Sequence, residues 1–280
     1  MTTRLSRDVS EALVRDGYVR IPSTLDLPTL EAMRAACDRV ISSASRDHFE
    51  ANWTTGSMLA VERDPWFAEL IGLPATLGAL RELELGQVVW SAGYVISKPA
   101  GGPRLFWHQD WLWWNHPIAL DAVPHQLFAM FYAVDTEREN GCLRVVPGSH
   151  RQWLPAHDQL TTAHSKAALS GEVGGDNTMF GDLDGEVDVP VRAGDLLLGD
   201  SRLLHAAHAN GSTEPRTLVT LWYHPAYDCL PPEIQAYFAL HHGTALNGWP
   251  AEARNRIDCA LPYCDETVTP LGICRDPQPT

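Results

Sequence analysis

The 280-residue chain has no Cys-x-x-Cys pair, no apolar run long enough to span a bilayer, and only 21 Lys and Arg against 35 Asp and Glu. Each shortage narrows its chemistry. Six scattered cysteines, Cys37, Cys142, Cys229, Cys259, Cys264 and Cys274, match neither a zinc ribbon nor a disulfide framework, and they read mostly as reduced thiols. Cys259, Cys264 and Cys274 near His241 and His242 could in principle hold zinc, although their spacing is irregular. The opening MTTRLSRDVSEALVRDG lacks the apolar stretch of a secretory signal, so a cytoplasmic enzyme or binding protein is expected, with no membrane partner. The formal net charge of -14 argues against a nucleic-acid or anionic-membrane surface, both of which favour basic faces. Its plainer role is solubility.

What is present has an order along the chain. Residues 7–16 read as a helix that Gly17 stops before the short apolar strand YVRI. In PTLEAMRAACDRVIS, Leu30, Met33, Cys37, Val40 and Ile41 recur at three- and four-residue spacing, with Pro28 near the start, and predict a second helix with one buried stripe. From about residue 87 the character changes. QVVWSAGYVISKP, QLFAMFYAVD, CLRVVPGSH, EVDVPVRAGDLLLGD and TLVTLWYHP are short segments rich in β-branched and aromatic residues, separated by Gly, Pro, Asn and Asp. Residues 155–190 are polar and Gly-rich, as expected of a long loop or lid over a site. PPEIQAYFALHHG predicts a later helix, and the tail from 251 has no clear pattern. One domain over residues 1–280 is expected: N-terminal helices over 7–43, a β core over about 87–226 and a C-terminal helical cover over 231–280.

The stretch WHQDWLWWNHP, residues 107–117, sets His108 and Asp110 inside a cluster of tryptophans. Polar groups buried in such surroundings need partners. On a strand, residues two apart share a face, so His108 and Asp110 can meet one ion while Gln109 faces away. Such a pair is a weak signal by itself, and a third ligand is required. GDLLLGDSRLLHAAHANGSTEPR offers His205, on a buried-looking strand, with Arg216 beyond it. Two histidines and a carboxylate on one face of an ion leave further positions open, the arrangement of ferrous oxygen chemistry. Zinc hydrolases also use three ligands, but HQD has no neighbouring Glu to serve as general base. A guanidinium deep in a barrel needs an anion and matches a carboxylate in two-point fashion.

WHQD, ENGCLRVVPGSHR and GDLLLGDSRLLHAAHANGSTEPR together resemble the motifs of the phytanoyl-CoA dioxygenase family of iron(II)- and 2-oxoglutarate-dependent oxygenases, from about Tyr94 to Trp222. The resemblance implies a mainly β protein with flanking helices, built on a double-stranded β-helix (a cupin-like jelly roll). It implies His108, Asp110 and His205 as iron ligands and Arg216 as partner of the distal carboxylate of 2-oxoglutarate. Tyr94 and Phe131 match positions of further co-substrate contacts, the second within an alignment that can slip by one residue. Where many members carry Ser or Thr two residues after the distal histidine, this chain has Ala207. The implied reaction consumes dioxygen, decarboxylates 2-oxoglutarate to succinate and removes a hydrogen atom from a substrate C–H bond, giving hydroxylation, desaturation or ring closure. Asp110 fills the place a halide would take in a halogenase.

Other residues have plainer readings beside functional ones. Trp107 is expected in the core. Trp111, Trp113 and Trp114 are candidate substrate wall or cation site, with core packing the default for at least two. His208, three residues past His205, falls on the other strand face with a supporting or surface role, and His150 shapes a turn. Lys98 either attracts an anionic group near the mouth or is solvated. The substrate expected is a small molecule, a natural-product or metabolic intermediate. The alternative is a metal-binding, cupin-like isomerase or ligand-binding jelly roll that does not use 2-oxoglutarate and so needs no Arg216.

Overall fold

Periodicity in the sequence becomes layering in the fold. In the computed structural model of the protein, which describes residues 7–114, 116–160, 163–172, 178–242 and 245–274, the order is α1 (Arg7–Asp16), β1 (Tyr18–Ile21), α2 (Leu27–Ser42), α3 (Arg46–Ala51), β2 (Leu59–Ala60), α4 (Phe67–Ile71) and α5 (Pro74–Arg81). The strands β3 (Val89–Lys98), β4 (Leu105–His108), β5 (Leu127–Tyr132) and β6 (Leu143–Val145) follow, then α6 (Lys166–Ser170), β7 (Val187–Val189), β8 (Leu196–Asp200), β9 (His205–Ala207), β10 (Arg216–His224), α7 (Pro232–His242) and α8 (Ala251–Ile257). The helix predicted over PTLEAMRAACDRVIS forms as α2: Asp26 caps it by accepting from the Thr29 N–H, and Leu30, Met33, Cys37 and Val40 are buried along one side. Helices α3, α4 and α5 come from a stretch whose short periods gave no reading in sequence. Residues 1–6 lie outside the described residues.

The strands form two antiparallel sheets, a six-stranded one in the order β1-β8-β5-β10-β3-β2 and a four-stranded one in the order β4-β9-β6-β7. This is the expected jelly-roll arrangement, two sheets face to face with helices on the outer side of the larger. The alternation of β5 sorts its residues. Leu127, Ala129 and Phe131 join the helix-side core with α2 and α4 residues such as Met33 and Phe67. Phe128, Met130 and Tyr132 point the other way, into the space between the sheets with Leu143, Leu197 and Leu218. Because both faces of this central strand are covered, all six of its residues are buried.

The segment 155–190 contains more order than a loop: α6 and β7 lie within it, and β7 pairs with β6. Of that segment, residues 161, 162 and 173–177 lie outside the described residues. At the C-terminal end, Phe238 and Ile234 of α7 pack with Trp111, Trp113 and Tyr227.

Gly199 on β8 sets how tightly this interior closes. A Cβ there would lie 2.0 Å from Phe128 Cζ, and the Phe128 ring sits 5.1 Å from the ring of His205. Gly199→Ala is therefore expected to lower stability by about 1–3 kcal/mol through overpacking, read as an earlier urea midpoint. An unchanged midpoint would contradict this account of the interior.

Candidate metal centre

Strand pairing brings distant residues together. His108 ends β4 and His205 begins β9, and the two are direct partners across that ladder, so their rings lie 4.1 Å apart between centroids. Asp110 follows β4 by two residues; its Oδ1 is 3.6 Å from His108 Nε2 and its Oδ2 3.7 Å from His205 Nε2. All three side chains are at least nine-tenths buried, at 9%, 10% and 2% exposure respectively for His108, Asp110 and His205.

Each imidazole is fixed in one tautomer. Nδ1 of His108 donates to the Phe106 carbonyl at 3.0 Å and Nδ1 of His205 to the Leu203 carbonyl at 2.9 Å. A carbonyl only accepts, so the proton sits on Nδ1 and the Nε2 lone pair faces Asp110. The indole of Trp222 donates to Asp110 Oδ2 at 2.9 Å, which holds the carboxylate in orientation. Gln109 faces away, as alternation requires, and its amide donates to the Arg202 carbonyl. Two Nε2 lone pairs and one carboxylate, within 4.8 Å of one another, suit a divalent transition metal with open positions.

Along β10, Arg216, Leu218, Thr220 and Trp222 line the cavity that also contains His108, Asp110 and His205. Arg216 is 4% exposed, among the described residues it makes no ion pair, and its Nε has no partner. Burial lowers its pKa. A guanidinium so enclosed calls for an anion from outside the protein. Tyr132 borders the same cavity, and burial raises its phenol pKa to about 12, so it remains a proton donor. Thr220 Oγ1 is buried without a partner and offers the hydroxyl that Ala207 cannot.

Several expectations change at this point. Phe131 belongs to the helix-side core, and Tyr132, one residue on, takes the inward position; the strand register moved by one and inverted the face. Trp111 and Trp113 do not border the cavity: both are at most 1% exposed and pack with Tyr227, Ile234 and Phe238, while their indoles donate to the Trp113 and Gly272 carbonyls. Core packing claimed them because their N–H groups found internal acceptors. Trp114 is partly buried against the same cluster and borders a separate groove with His150 and Trp153. Trp107 is in the core, beneath the Arg144 guanidinium at 4.7 Å.

Tyr94 lies on β3, edge-on to Trp222 at 5.8 Å between ring centroids, and borders a neighbouring chamber with Asp110 and Trp222 rather than the cavity that contains Arg216. Lys98 is neither solvated nor at a mouth. It is fully buried, donates to the Thr54 and Pro103 carbonyls, and burial, then the neighbouring Arg216, lowers its pKa. His150 accepts the turn role, buried and bonded to the Val14 carbonyl at 3.0 Å.

His208 faces outward from β9, bonded to Asp188 at 2.6 Å. With Cys142 it forms a second group of potential ligands among the described residues, but Asp188 is also paired with Arg138 at 3.1 Å, a cation that opposes a metal there. Cys259, Cys264, Cys274 and His241 form no such group; the side chain of His242 lies outside the described residues. Trp222, Thr220, Tyr132 and His164 were missed in sequence. Stepping by two from Arg216 reaches Thr220 and Trp222; His164 gave no signal, because it arrives from the segment over the site, 5.0 Å from the His108 ring.

The family pattern described as phytanoyl-CoA dioxygenase matches residues 13–218. An ectoine dioxygenase of Bordetella parapertussis is 24% identical over 251 residues, covering 81% of this chain and 78% of its own length. Among solved structures, the carbocyclase SnoK from nogalamycin biosynthesis aligns with a TM-score of 0.60 and 24% identity, covering 80% of this chain and 85% of its own. EctD from S. alaskensis, solved with 2-oxoglutarate and 5-hydroxyectoine, aligns with a TM-score of 0.60 and 20% identity, over 79% and 76%. Both share the fold.

Trp222→Phe keeps the ring and removes the hydrogen bond to Asp110. Its affinity for cobalt(II), titrated by absorbance or calorimetry, is expected to fall by about 10–100-fold; an unchanged affinity would show that the indole does not orient the carboxylate.

Proposed function

The chain belongs to the phytanoyl-CoA dioxygenase family, and on that premise we propose that His108, Asp110 and His205 hold the iron(II) of a 2-oxoglutarate-dependent dioxygenase while Arg216 grips the far carboxylate of the co-substrate. The enzyme class itself follows from the family: an iron- and 2-oxoglutarate-dependent oxygenase acting on a small molecule. The observation that carries the assignment of residues is the buried guanidinium of Arg216, without a carboxylate partner among the described residues, in the same cavity as His108, Asp110 and His205. An isomerase or binding module that does not use 2-oxoglutarate has no need of that charge.

Iron(II) held by His108, Asp110 and His205 would supply the activation of dioxygen needed to oxidise a substrate C–H bond. The protein's own groups do the rest by position. Nδ1–H donation to the Phe106 and Leu203 carbonyls turns Nε2 of both imidazoles toward the metal position, and Trp222 fixes Asp110. Arg216, with Tyr132 and Thr220 as hydroxyl donors nearby, fixes the tail of the diacid. Ile96, Met130, Leu143 and Leu218 line the same cavity and exclude water, which strengthens each charged contact.

We read the substrate as a natural-product or metabolic intermediate, oxidised by hydroxylation, desaturation or ring closure. No nucleic-acid partner belongs to this reading, given the acidic balance of the chain. Among the described residues no helix is long and apolar enough to cross a membrane. The six cysteines are all free, which supports a reducing, cytoplasmic setting.

An anaerobic titration tests the assignment. Wild-type protein with iron(II) is expected to develop a weak visible charge-transfer band on adding 2-oxoglutarate. Arg216→Ala should weaken 2-oxoglutarate binding by at least about 30-fold, the scale of a truncated buried charge pair. Asp110→Ala should abolish iron retention. Full 2-oxoglutarate affinity in Arg216→Ala would overturn the role given to that residue.

A further inference from the structure

Beyond the metal, Asp110 and Trp222 also border a second, outer chamber. Its walls include the aromatic rings of Tyr94, Trp222, Tyr237 and Phe238, and its polar members include Glu62 and Gln126. Glu62 is the anomaly. It lies in a short 3-10 turn after β2, its Oε2 is buried with no hydrogen-bond partner, and among the described residues it makes no ion pair. Gln126 Oε1 in the same wall is likewise buried and unpartnered. Of the two histidines that border the chamber, His241 is bonded through Nδ1 to the Tyr237 carbonyl at 2.7 Å and His164 through Nε2 to the Gln109 carbonyl at 3.2 Å.

Glu62 is half-buried, but its Oε2 is held out of water with no cation beside it, which is costly, and burial, opposed by a bond from its own backbone N–H, raises its pKa. The chamber therefore offers two bare acceptors and several ring faces to whatever enters. Ring faces attract cations, and a carboxylate supplies the full counter-charge. A neutral or anionic guest would leave Glu62 unpaired; an anion would add repulsion from Asp110 as well.

Resting on the dioxygenase reading above, we propose that the substrate carries a positively charged nitrogen, an ammonium or a protonated ring amine, and that Glu62 is its anchor. Ring faces of Tyr94, Trp222 and Tyr237 enclose the cation. With the charge seated at Glu62, the remainder of the molecule extends along the chamber toward Asp110, so the anchor decides which C–H bond meets the metal. Glu62 acts here as a specificity-determining residue and takes no part in the chemistry.

Calorimetric titration of the iron-loaded, anaerobic protein with two matched pairs tests this: choline against 3,3-dimethylbutan-1-ol, and benzylamine against benzyl alcohol. In wild-type protein the cation of each pair is expected to bind at least about ten-fold more tightly than its neutral partner. Glu62→Gln, which keeps size and shape, should erase that difference. Equal affinity within both pairs, failure of both cations to bind more tightly than about 10 mM, or a preference that survives in Glu62→Gln would each overturn the proposal. The wild-type comparison stands even if the variant folds poorly. Loss of the 2-oxoglutarate band in wild-type protein, with the cation preference intact, would instead sink the dioxygenase reading and leave the anchor standing.

Discussion

The pairing of β4 with β9 is the constraint on which the site depends. Antiparallel partners face each other at a fixed spacing, so placing His108 opposite His205 brings two imidazoles from distant parts of the sequence within reach of one ion without any special loop. Asp110 needs only to curl back from the strand end, where its own N–H donates to the Ser201 carbonyl at 2.8 Å. The backbone carbonyls of Phe106 and Leu203 then fix the ring tautomers. Secondary structure thus supplies both the convergence of the ligands and the orientation of their rings.

The second physical fact is an imbalance of charge between the sheets. Arg216 on β10 and Lys98 on β3 are register partners, both buried, and among the described residues no carboxylate is paired with either. Lys98 resolves its position by bonding two backbone carbonyls and by a lowered pKa. A guanidinium cannot shed its proton in this way, so Arg216 is left as a fixed positive charge facing the cavity. At the far end of the same strand face, Trp222 holds Asp110 and meets Tyr94. In the proposed assignment this one strand would orient the co-substrate at its start and the metal carboxylate near its end, and it also contributes an aromatic wall where the outer chamber opens.

Much of this was legible in the sequence, and the parts that were not have definite causes. His108, Asp110, His205 and Arg216 could be singled out because metal and carboxylate chemistry restrict residue type and spacing together. The β core was legible from its turn residues and β-branched segments, and α2 from its apolar stripe. Phe131 and Tyr132 could not be told apart, because β5 is covered on both faces and carries no polar alternation to set its register. Trp111 and Trp113 stood as candidate substrate wall beside the core-packing default because sequence predicts the helix that became α7 but not what it packs against; α7 and the Gly272 carbonyl absorb them. Glu62 and His164 were invisible for a related reason: each reaches its cavity from a short irregular turn with no period to read.

A crystal structure grown anaerobically with iron(II) and 2-oxoglutarate tests the central claim most directly. The account predicts one metal between His108 Nε2, Asp110 and His205 Nε2, with the distal carboxylate of 2-oxoglutarate bonded to Arg216. Iron at Cys142, Asp188 and His208 instead, or a co-substrate whose tail lies away from Arg216, would contradict it.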